Sequence, residues 1–140
     1  MARLNPYLNF NGKCREAMTF YQSCLGGELF MQKVAESPIS AQMTSEMGAN
    51  ILHSTLTNNG LVMMGSDMMG NQLKSGSSIT LFLNCESKEE IDDVFGKLSE
   101  DGQVITPLHQ SFWGATFGEL TDKYGILWSF NYAKTNSKNG

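Results

Sequence analysis

From Leu4 to Phe10 apolar and polar residues alternate, with Leu4, Pro6, Leu8 and Phe10 on one face and Asn5, Tyr7 and Asn9 on the other. That period of two predicts a strand with one face toward a core and one polar face. Cys14, Ala17, Met18, Tyr21, Cys24 and Leu25 then recur at spacings of three and four, which predicts a helix, with Asn11 as its N-cap and Gly26-Gly27 as its left-handed stop. Strands are expected at Glu28 to Val34, at Asn50 to Thr57 and at Leu61 to Gly65, the last two joined by the Asn58-Asn59-Gly60 turn. The polar, Ser- and Met-containing connection running through Gly48 carries no regular pattern.

The same order begins again after the small-residue stretch Gly70 to Ser77. Ile79, Leu81, Leu83 and Cys85 alternate against Ser78, Thr80 and Phe82, and Ser87-Lys88-Glu89-Glu90 reads as a capping box. Ile91, Val94, Phe95 and Leu98 form the buried stripe of the helix it starts, which Asp101-Gly102 ends. Strands at Val104 to Leu108, Trp113 to Leu120 and Ile126 to Tyr132 complete the second unit. The fold class is therefore α+β: two βαβββ modules, residues 1–70 and 77–133, within one domain of residues 1–140. A single module leaves one sheet face uncovered, so the two are expected to form a curved eight-stranded mixed sheet around a shared cleft.

With 140 residues, 41% of them hydrophobic, the chain can bury a real core. Neither an apolar stretch of the roughly 20 residues a membrane helix needs nor a basic, apolar leader is present, so no membrane partner and a cytoplasmic location are expected. A net charge of −4 without a Lys/Arg cluster offers nothing to neutralise phosphates, which sets nucleic acid aside. Cys14, Cys24 and Cys85, odd in number and without C-x-x-C spacing, read as buried small hydrophobes rather than a disulfide framework or a zinc knuckle. The polar tail from Lys134 to Gly140 is expected to fray.

The opening Asn5-Pro6-Tyr7-Leu8-Asn9-Phe10-Asn11-Gly12, followed by Glu16-Ala17-Met18 and Phe20-Tyr21, resembles the first strand and helix of the PhnB-like branch of the vicinal oxygen chelate superfamily. That superfamily groups glyoxalases, bleomycin-resistance proteins and extradiol dioxygenases. Phe112-Trp113-Gly114-Ala115-Thr116-Phe117-Gly118 and Asp122-Lys123-Tyr124-Gly125-Ile126-Leu127-Trp128 resemble the branch's signature near the end, with Asp122-Lys123 where many relatives have Asp-Pro. The resemblance covers nearly the whole chain and implies a homodimer. It also implies a cleft which, in catalytic relatives, holds one divalent metal through four His/Glu-type ligands on the first, third, fifth and eighth strands.

The positions here that match those ligands are Asn5, Thr55 or His53, Ser78 and Ser129, of which only His53 is a good metal ligand. The resemblance thus implies a metal-free binding protein without a cofactor. Its partner would be a small organic molecule, carbonyl-bearing or aromatic, held by Asn5, Tyr7, Asn9, His53, Thr55, Ser78, Phe82, Trp113 and Ser129. His53 could bind a ligand oxygen, carry a proton, or serve as a hydrogen-bonded structural histidine, whereas His109 reads as a surface loop residue. Trp113 is open between pocket floor and core, and Trp128 reads as core. Asp67, Glu119 and Asp122 read as turn and rim residues, and no nucleophile–base pair stands out.

Members of the branch are often labelled demethylubiquinone methyltransferases, but no Gly-rich strand-to-helix loop followed by an acidic residue supports a methyl donor. Two alternatives stand beside the binding protein. One is a metal-dependent lyase, isomerase or dioxygenase with other ligands, and the other is a dimer whose Met63-Met64 and Met68-Met69 pairs dock another protein.

Overall fold

The computed structural model of the chain describes residues 2–39 and 48–134. Part of the irregular connection, residues 40–47, and the tail from Thr135 lie outside the described residues. The chain divides into two compact units, Met1–Lys74 and Ser75–Gly140. Each has the order strand, helix, strand, strand, strand, and the eight strands pair as two mixed sheets of four rather than as one continuous ladder.

In the first unit, β1 (Tyr7–Asn9), α1 (Cys14–Leu25), β2 (Glu28–Lys33), β3 (Ile51–Asn58) and β4 (Leu61–Ser66) build a sheet of order β1-β4-β3-β2. Only the β1–β4 pairing is parallel. The helix forms where its stripe predicts, burying Cys14, Ala17, Met18, Tyr21 and Cys24. Its stop is Gly26 at φ +77 and Gly27 at φ +98. Fully burying a side chain such as Met18 contributes about 1.5–3 kcal/mol.

The helix lies on Ser54, Leu56, Met63 and Gly65, all buried. A Cβ at Gly65 would meet Met18 Sδ at 3.0 Å and Phe10 at 3.2 Å, so the missing side chain is what lets α1 approach. The first turn is not capped by Asn11, whose side chain instead donates to Asn71 at 3.2 Å. Lys13 occupies the cap position without a side-chain bond, and the free N–H of Cys14 donates to Asp67 Oδ1 at 3.0 Å.

In the second unit, β5 (Leu81–Asn84), α2 (Lys88–Leu98), β6 (Gln103–Gln110), β7 (Ala115–Thr121) and β8 (Leu127–Ala133) build a sheet of order β5-β8-β7-β6. Ser87 caps α2, its Oγ accepting from the Glu90 N–H at 3.0 Å, while Glu90 reaches back to the N–H of Glu86 at 2.7 Å. Phe95 crosses Phe130 edge to face at 5.1 Å, and a Cβ at Gly118 would meet Phe95 at 2.9 Å and Leu108 at 2.8 Å. No helix among the described residues is long and apolar enough to cross a membrane.

Both first strands of the modules are shorter than their alternation predicts. Leu4 and Ile79, expected on the core faces, are 99% and 77% exposed because the ladders begin only at Tyr7 and Leu81.

Candidate functional site

Each sheet has one face under its helix and one turned away, and the register identifies the residues on the far face. In the first unit Tyr7 pairs Met64, Met64 pairs Thr55 and Thr55 pairs Phe30, so these four form one row across all four strands. Tyr7 and Phe30, at its ends, are exposed. In the neighbouring row His53 pairs Gln32, and Asn9 pairs Ser66. The His53 ring lies 6.0 Å from that of Tyr7, and its Nε2 shares a 3.0 Å hydrogen bond with Thr55 Oγ1. That bond occupies one ring nitrogen and fixes the ring against the sheet.

In the second unit Phe82, Ser129, Glu119 and Thr106 form the corresponding row. Beside it Asn84, Asn131, Phe117 and His109 form the next, tied by the Asn131–Asn84 bond at 3.2 Å. Ser129 is buried, being shorter than every side chain around it, whereas Phe82 is exposed. Trp113 sits in the β6–β7 connection, half exposed, with its ring 5.5 Å from Phe117 and 4.9 Å from the open ring of Phe112.

The structure thus places Tyr7, Asn9, His53 and Thr55 together on the far face of the first sheet, and Phe82 and Ser129 together on that of the second, with Trp113 at its edge. Asn5 and Ser78 do not join them as strand residues. Asn5 precedes β1, and Ser78 is exposed in the segment before β5.

Several residues differ from their sequence reading. His109 belongs to strand β6, not to a loop, and its Nδ1 bonds the Pro107 carbonyl at 2.9 Å. Asp67 is no rim residue: it is 2% exposed, and its second oxygen accepts the N–H of Ile51 at 2.9 Å. Asp122 is also buried, accepting the N–H groups of Tyr124 and Ile126 and the Trp128 indole at 2.8 Å, and this bond serves Trp128 in the core. Glu119 stands in the middle of β7 on the far face, in register with Ser129, where Thr106 donates to it at 2.9 Å. The three cysteines are buried and free. Burial pushes the Cys14 thiol up to about 11 despite the Ser54 hydrogen bond, and the Cys85 thiol up to about 12.

A family model described as 3-demethylubiquinone-9 3-methyltransferase matches residues 2–130. Protein YjdN of Escherichia coli (strain K12) is 34% identical over 140 residues, covering 94% of this chain and 95% of its own. The structure of PA1353 from Pseudomonas aeruginosa superposes with a TM-score of 0.82 at 33% identity, over 95% of this chain and 98% of that one. The PhnB protein from Bacillus cereus gives 0.76 at 31%, over 94% and 100%. This chain belongs to the PhnB-like branch of the vicinal oxygen chelate superfamily. The fold extends further, to a glyoxalase/bleomycin resistance protein/dioxygenase family enzyme from Burkholderia phytofirmans, at a TM-score of 0.59 and 15% identity over 91% and 96% of the two chains.

Catalytic vicinal oxygen chelate proteins imply a divalent metal, and the donor chemistry of each unit does not fit one. No group of three or more His, Cys, Asp and Glu that could hold an ion occurs among the described residues. In the first unit one imidazole stands among neutral oxygens, already bonded to Thr55. In the second, one carboxylate stands beside a serine and a threonine. Neither set offers the anionic or imidazole ligands that hold a divalent ion against rehydration. For this PhnB-like chain, the internal topology also makes β4, not β3, the counterpart of β8, and the residue corresponding to Ser129 in its row is the thioether Met64.

Proposed function

We propose that this PhnB-like protein binds a small organic molecule without a metal, as a cytoplasmic homodimer. The observation that carries the reading is the register of the two far faces, which gathers uncharged hydrogen-bonding groups and accessible aromatic rings. On one face these are Tyr7, Asn9, His53, Thr55 and Phe30. On the other they are Phe82, Ser129 and Asn131, with Trp113 leaning on Phe117. Apolar and aromatic walls with a few placed polar groups are the usual composition of small-molecule sites. A carbonyl-bearing or aromatic ligand suits them, since hydroxyl, amide and imidazole groups can donate to its oxygen while the rings cover its flat body. The dimer rests on the family resemblance, and the net charge of −4 disfavours nucleic acid as a partner.

The test is a screen of neutral aromatic and carbonyl fragments against full-length protein, followed by amide chemical shifts in two-dimensional NMR. Shifts should concentrate at Tyr7, Thr55, Phe82, Ser129 and Trp113. Shifts confined to the outer surfaces of α1 and α2, or none with any fragment, would refute the reading.

A further inference from the structure

Three side chains of the second sheet remain unexplained by packing or by a fully neutral ligand. Ser129 is 6% exposed, and because no side-chain oxygen or nitrogen is fully buried without a partner among the described residues, its hydroxyl, which bonds none of them, stays reachable from outside. Glu119, its register partner on β7, is half-buried and enters none of the ion pairs among those residues. Thr106 donates to Glu119 Oε1 at 2.9 Å, which orients the carboxylate and leaves Oε2 without a protein donor. A half-buried carboxylate with one oxygen lacking a protein donor, beside a hydroxyl that is still reachable, can accept hydrogens from a ligand.

Their surroundings define what that something is. Register partners on adjacent antiparallel strands stand roughly 5 Å apart, so Glu119 Oε2 and Ser129 Oγ present two neighbouring acceptors to a forked donor. Phe82, 57% exposed, flanks Ser129 on one side, and Phe117 precedes Glu119 by two residues on the same face. Aromatic faces attract organic cations as well as apolar bodies. A lone carboxylate with neutral oxygens does not hold a divalent ion, but it does hold an N–H cation.

We propose that Ser129, Glu119 and Thr106 form a subsite for an organic cation, an amidinium or ammonium group carried on a flat apolar body that lies against Phe82 and Phe117. This inference rests on the small-molecule reading above and specifies the ligand's charge. The matching row of the first sheet, Tyr7–Met64–Thr55–Phe30, is uncharged.

The test is an NMR titration of the full chain with benzamidine hydrochloride and, separately, with benzamide, its neutral analogue of the same shape. Benzamidine should shift the amides of Phe82, Glu119 and Ser129 and bind at least about ten-fold more tightly than benzamide, the ratio expected for about 1.4 kcal/mol of charge-assisted bonding. Glu119→Gln keeps the Thr106 acceptor and should erase that preference with the spectrum otherwise folded. Phe82→Ala, at an exposed position, should weaken both probes alike. Equal binding of the two probes at these residues, or an undiminished preference in E119Q, would overturn the cation subsite while leaving a neutral small-molecule site standing. Absence of benzamidine shifts at Glu119 and Ser129 up to its solubility limit would also overturn it. If neutral fragments also failed to reach either sheet face, the broader reading would fall with it.

Discussion

Asp67 ties together distant parts of the first unit, because its two oxygens serve two orphan donors far apart in the chain. One is the N–H of Cys14 in the first turn of α1, and the other is the N–H of Ile51 at the start of β3. A carboxylate at a helix N-terminus also gains from the helix dipole. Asp67→Ala leaves both donors buried without partners and should lower stability by about 3 kcal/mol. Asp67→Asn, which keeps one acceptor, should lose roughly half as much. Urea denaturation of the two variants checks both values.

The thiols give a pH prediction at the same scale. Burial raises Cys14 to about 11 and Cys85 to about 12, from an ordinary 9.0 in the unfolded chain. Below pH 9 both states hold these protons and the contribution is constant. Above it the unfolded chain releases them first, so stability should fall as pH climbs from about 9 toward 11 and 12. Denaturation midpoints that stay flat between pH 8.5 and about 10.5 in wild type, or fall equally in a Cys14→Ala, Cys85→Ala variant, would contradict this.

Among the elements, the two helices seat themselves over glycines. Gly65 lies under α1 and Gly118 under α2, where a methyl group would press on Phe95 at 2.9 Å and Leu108 at 2.8 Å. Gly118→Ala should therefore destabilise by about 1–3 kcal/mol through overpacking, despite alanine's smaller entropy cost. Calorimetric melting of G118A checks the sign. Helices were also the elements best legible in the sequence. The stripe from Cys14 to Leu25 and the Ser87 cap reproduce α1 and the start of α2, because spacing and capping are local properties. Strand ends were less legible, since alternation continues through Leu4 and Ile79 while the neighbouring strand does not. Tyr7 and Phe82 lie on the faces that the alternation of their strands predicts, because a period of two needs no knowledge of the partner strand. The roles of Asp67 and Glu119 escaped notice for the opposite reason. The donors to Asp67 lie 53 and 16 residues away, and Glu119 gains its meaning only from the strand beside it.

For the whole molecule, two βαβββ units define a member of a metal-using superfamily whose own donor sets, among the described residues, do not suit a divalent ion. The proposed dimer should appear as a single species of twice the 15.5 kDa chain mass in light scattering coupled to size exclusion. A monomer at micromolar concentration would remove the dimer without touching the binding proposal. The direct test of the central claim is elemental analysis of protein purified without an affinity tag, after exposure to zinc, nickel, manganese and iron and exhaustive dialysis. The donor chemistry predicts well under one ion per chain for every metal, with ligand binding unchanged by a chelator. One firmly retained ion per chain, lost together with ligand binding when chelated, would contradict it.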